Sequence, residues 1–139
     1  MCIVAIWMFC LCQINAQTLT ALQLNKTKWH LVEPKDVYVD TYFEFSDSLL
    51  TNISNIHYPD TKMQKGFHKT YTNNYLYYVS NMITEQFDKK QVGTSSQGQY
   101  ILQELDGDVF WFQVLKFTST ELKLKSLKGQ IFTFERISK

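Results

Sequence analysis

Apolar and polar residues alternate with a period of two along most of the chain, most clearly in the stretch VYVDTYFEF. Val37, Val39, Thr41, Phe43 and Phe45 fall on one side of an extended backbone there, and Tyr38, Asp40, Tyr42 and Glu44 on the other. Successive side chains of a strand point to opposite faces, so the pattern predicts a half-buried strand. The same test finds TKWHLV, with Trp29 and Leu31 together, then LLTNISNI after the turn SDS, and YTNNYLYYVS with its strand-favouring tyrosines. GQYILQEL runs into Asp106-Gly107-Asp108, a hairpin signal, and VFWFQVLKF follows, apolar in both phases. ELKLKS, the turn LKG and QIFTFERI complete the series.

Eight strands joined mostly by short turns predict an all-β antiparallel meander. Closing it into an eight-stranded up-and-down barrel removes the edges that would otherwise invite aggregation. A two-sheet sandwich competes, but sandwiches need long crossing connections and only 57–70 and 81–98 are long enough. Either of these could carry a short helix, and long loops in a compact domain are often functional. Residues 18–24 read as a brief helix or an extended arm. An eight-stranded barrel is filled by its own side chains or holds one small ligand.

The first sixteen residues, MCIVAIWMFCLCQINA, change the picture of the compartment. The apolar run is too short to span a bilayer, and Ala16 is a small residue suited to cleavage before Gln17. This reads as a secretory signal over 1–16, with the domain at 17–139 and export to the periplasm or beyond. The signal is atypical in having no basic residue before the apolar run; a buried N-terminal strand is the competing reading. All three cysteines, Cys2, Cys10 and Cys12, lie inside it, so the remaining chain holds no thiol. A domain of this size buries about two-thirds of its unfolded surface without disulfides, and 15% aromatic residues supply bulky filling.

A net charge of +1 points to neither nucleic acid nor an anionic membrane surface. Lys62, Lys65 and Lys69 read as a solvated loop. His30, His57 and His68 lack metal-ligand spacing, so no metal or cofactor is expected. Asp106-Gly107-Asp108 is explained by a turn rather than by a calcium loop. Ser95-Ser96 has no nucleophile-elbow context and reads as flexible loop. The acidic residues are scattered, and no catalytic pair stands out. Asn25-Lys26-Thr27 and Asn52-Ile53-Ser54 match the N-glycosylation sequon, which matters only in a eukaryotic secretory path. Asp47-Ser48-Leu49 resembles the short O-glycosylation motif of Bacteroidetes. No enzyme is expected.

KWHLV, YYVS, QFDKKQVGTSSQGQYIL and VLKFTSTELKLK with FTFERI together resemble the small secreted lipocalin-like proteins of Bacteroidetes; the signal ending INAQ is similar to cleavage sites common there. The glycine that lipocalins place two residues before the first-strand Trp is replaced by Thr27. The resemblance implies that Trp29 closes the barrel base. It also implies that Arg136, the only arginine, packs across the indole while its polar edge reaches backbone carbonyls; an outward, solvated Arg136 is the alternative. The expected function is a carrier of a small apolar ligand inside the barrel. Alternation assigns Val39, Thr41, Phe43, Tyr75, Tyr77, Tyr100, Leu102, Phe110, Phe112, Leu122 and Leu124 to its lining. Inverting the VFWFQVLKF strand would substitute Trp111 and Gln113. The competing expectation is a structural or protein-interaction module of the cell envelope with a filled core. A void of a few hundred Å³ separates the two.

Overall fold

The computed structural model describes residues 17–137. The proposed signal segment and its cysteines lie outside the described residues. Strands β2 (Thr27–Glu33), β3 (Val39–Phe45), β4 (Leu49–Tyr58), β5 (Phe67–Ser80), β7 (Tyr100–Leu105), β8 (Asp108–Phe117), β9 (Glu121–Ser126) and β10 (Ile131–Arg136) form a closed antiparallel barrel. Neighbours in the sheet are neighbours in sequence, and β10 pairs with β2 to close the ring. The protein is thus an all-β, eight-stranded up-and-down barrel.

Two short strands lie outside the ring. β1 (Leu19–Thr20) pairs with β6 (Gln97–Gly98). A single helical turn, α1 (Ala21–Leu24), follows β1. Thr20 and Gln23 form a reciprocal capping box that satisfies the first free N–H groups of this turn. Leu19, Ala21 and Leu24 are thereby pressed into the core beside Trp29.

Antiparallel order puts α1, the β3–β4 turn and the long 81–99 connection at one end of the barrel. The β7–β8 and β9–β10 turns lie at the other. The first end is filled. Trp29, Leu24 and Val79 are at most 0% exposed, and Tyr77 donates to Ser46 O across the base at 2.7 Å. Each such apolar side chain contributes roughly 1.5–3 kcal/mol on burial.

The two long connections differ from each other. Residues 57–70 begin and end in strand, because β4 and β5 continue past the barrel rim as a hairpin with its turn at 59–66. Tyr38, Tyr58 and Phe67 stack along this projection, with ring centroids 4.9 and 5.8 Å apart. The 81–99 segment carries a 3-10 turn (Lys89–Gln91) and the short strand β6, and packs over the outside of β5. Phe87 lies 4.9 Å from the Tyr78 ring, and Asp88 N donates to the Tyr78 hydroxyl. Ser96, expected to be flexible, is a structural anchor: its hydroxyl accepts from Val79 N and its carbonyl from Ala21 N. Gly98 makes the close approach possible, since a Cβ there would fall 2.0 Å from Ser80 C.

The pairing of β8 with β9 slips between Val114 and Lys116, leaving Leu115 as an extra residue. Val114 and Phe117 can then both face the core. Gln17 bridges the irregularity. Its N–H donates to Val114 O, its Nε2 to Phe117 O, and its Oε1 accepts from Phe117 N. The β7–β8 turn places Asp106 and Gly107 at φ of 51° and 86°, the positive values a two-residue primed turn requires.

Candidate functional site

Above the filled base, the open half of the barrel holds a cavity of about 330 Å³. Of the residues expected to line a ligand site, Phe43, Tyr75, Phe110 and Phe112 border it. Phe43 sits at its floor, 7% exposed and 4.7 Å from the Phe134 ring. Phe110 and Phe112 lie opposite Gln103 and Ile101 in register; of the inverted alternative, Trp111 also borders the cavity and Gln113 does not. The Trp111 ring packs edge-on to Tyr100 at 5.6 Å.

Other expected residues are placed differently. Tyr77, Leu122 and Leu124 point inward but belong to the packed core beneath the cavity. Burial, assisted by the Asp47 carboxylate, pushes the Tyr77 phenol well above its usual range. Val39 and Thr41 border a separate cleft of about 440 Å³ near Leu31 and Pro34. The cleft arises because β2 pairs with β3 only over Thr27–His30, and the two strands part beyond that.

Tyr100 and Leu102 require correction. Their inward assignment is out of phase, because Ile101 is the core residue of β7 and Gln103 the cavity residue. Leu102 is nonetheless fully buried, on the outer face beside Tyr78, where the 81–99 segment supplies cover. A strand buried on both faces carries apolar residues in both phases, and alternation then loses its meaning.

The polar residues of the cavity are Asn52, Gln103, Ser126 and Lys128, none of them singled out by the sequence pattern. Asn52 lies opposite Phe43 on β3 and Asn73 on β5. Its Oδ1 is buried with no hydrogen-bond partner among the described residues. Gln103 is 8% exposed, beside Tyr77 and Phe110 in register. Both follow the inward phase of their strands, Asn52 two residues after buried Leu50 and Gln103 two after buried Ile101. That phase was the available signal. It also places the second sequon: the Asn52 side chain borders the cavity. Lys128, with Leu127, stands in the β9–β10 turn at the mouth.

At the base, Arg136 pairs in register with Trp29, and its guanidinium carbon lies 5.8 Å from the indole centroid. Trp29 is fully buried, donates from Nε1 to Thr27 Oγ1 at 2.8 Å, and packs against Phe117. Among the described residues the guanidinium has no hydrogen bond to a carbonyl, contrary to expectation; the backbone there is tied instead, Arg136 N donating to Thr120 O and Ile137 N to Lys28 O.

On the outer wall the fold brings His30 and His57 to either side of Asp40, with contacts of 3.3 and 3.7 Å. Among the described residues no group of three or more His, Cys, Asp or Glu is arranged to hold a metal ion. No described helix is long and apolar enough to cross a membrane. Comparison with protein-family models, with curated proteins and with solved structures finds no match.

Proposed function

We propose that this protein is an exported, non-enzymatic carrier that holds a small, largely apolar ligand in the open half of its barrel. The observation that carries the reading is the cavity itself. Its volume of about 330 Å³ lies at the lower end of small-molecule sites. Its walls combine aromatic rings with a few convergent polar groups, as such sites do. A structural or protein-interaction module would be expected to fill this space at ordinary packing density. The closed eight-stranded ring is also compatible with the lipocalin-like resemblance. Export rests on the apolar segment before Gln17.

Native mass spectrometry of protein purified from its own host tests the reading. A reproducible added mass in the small-molecule range, lost on denaturation, is expected. Protein that emerges bare and whose melting temperature is unmoved by any member of an apolar ligand library would overturn it.

A further inference from the structure

The polar chemistry of the cavity narrows the ligand further. Asn52 and Gln103 lie beside buried Phe43 and Tyr77, at the inner end, whereas Lys128 stands at the mouth. The inner polar groups are therefore two neutral amides with the Tyr75 phenol, and among the described residues no acidic side chain borders the cavity. An amide offers both a donor and an acceptor. The Asn52 oxygen has no protein partner; turning the amide by 180° would leave its NH₂ in the same position. Either way, a ligand edge that carries a donor next to an acceptor can satisfy it.

A plain hydrocarbon leaves these groups unpaired, which is costly in a desolvated site. A carboxylate driven inward would be buried away from Lys128, with only neutral partners. The Phe43, Phe112 and Phe132 rings around the amides suit a compact ring system better than a polar chain.

We propose that the ligand is a small, neutral, ring-containing molecule whose inner edge pairs a hydrogen-bond donor with an acceptor, as in a lactam, a cyclic imide or an N-heteroaromatic carboxamide. Asn52 and Gln103 read that edge, and Lys128 lies at the outer end, away from it. This rests on the cavity being a ligand site.

Three probes separate the chemistries in calorimetric titrations of the purified protein. Quinolin-2(1H)-one is a two-ring lactam, naphthalene has the same outline without the polar edge, and dodecanoate is an apolar acid. Quinolinone should bind at least about tenfold more tightly than naphthalene, because a site built to hydrogen-bond rejects the analogue lacking the group. Asn52→Leu and Gln103→Leu should each weaken quinolinone roughly tenfold while leaving naphthalene unchanged or tighter. Circular dichroism melts confirm that each variant is folded, and the wild-type ranking needs no variant.

Naphthalene or dodecanoate binding as tightly as quinolinone would overturn the assignment of the edge while leaving a carrier of apolar ligands intact. Variants that weaken all probes alike, or none, would do the same. Failure of all three probes to bind would overturn this inference, while the carrier reading stands or falls separately with the native mass spectra and the ligand library.

Discussion

Removing the Trp29 indole tests how the barrel is closed at its base. Trp29 is wholly buried, touches Phe117, donates to Thr27 Oγ1 and lies under Arg136. Truncating a buried large aromatic to alanine costs about 3–5 kcal/mol. Loss of the indole N–H leaves Thr27 with its bond to Leu24 O, so the hydroxyl is not stranded and the upper end of that range is not exceeded. Arg136 is only half-buried, and its cation–π contact and stem packing are together worth about 1–2 kcal/mol. The two side chains share one contact, so Arg136→Ala should cost about 0.5–1.5 kcal/mol less in a Trp29→Ala background. Urea unfolding followed by circular dichroism gives the four stabilities of the cycle. Domains of this size have about 5–15 kcal/mol in all, so Trp29→Phe is the reserve variant should Trp29→Ala prove too unstable to measure. Strict additivity in both cycles would refute the claim that the guanidinium and the indole act together at the closure.

Gly98→Ala should destabilise by more than about 1 kcal/mol, because its Cβ would overlap the Ser80 backbone; an unchanged urea midpoint would contradict that packing. Phe43→Ala or Phe112→Ala should alter ligand retention in native mass spectra, whereas Asp40→Ala and Lys123→Ala on the outer wall should not. Equal effects from both pairs would exclude an interior site. The raised Tyr77 phenol predicts an alkaline limit: above the usual tyrosine value of about 10 the unfolded chain loses its proton while the folded one keeps it, so stability falls as pH rises. The drop should be smaller in Tyr77→Phe, measured as urea midpoints between pH 9 and about 11.5; an identical drop in both proteins would rule Tyr77 out as its source. Exported protein should begin at Gln17 by N-terminal sequencing and, having no cysteine after Cys12, should melt at the same temperature with or without reductant. An intact Met1 on a cytoplasmic product, or a reductant-dependent shift, would count against export with cleavage at that site.

The sequence alone determined the class of fold. Alternation is a local property of extended backbone, so a stretch such as Val39–Phe45 reveals both its strand character and its buried face without knowledge of its neighbours. Short turns between such strands leave a meander, and the Asp106-Gly107 turn is legible for the same local reason. The phase of a strand buried on both sides is not local. β7 hides Ile101 in the core and Leu102 beneath the 81–99 segment, and it turns a glutamine toward the cavity. Nothing within YILQEL says which face a distant loop will cover. Where the interior is filled and where it is empty is likewise decided by which inward residues meet across the barrel. That depends on register, on the slip at Leu115 and on the plug formed by Leu19, Ala21 and Leu24. The sequence pattern supplied Phe43, Tyr75, Phe110 and Phe112, but only the closed ring set them around Asn52 and Gln103. Hydrophobic patterning registers how much of a residue is buried; it carries no information about which hydrogen-bonding groups share a cavity, because that is fixed by pairing between strands far apart in the chain.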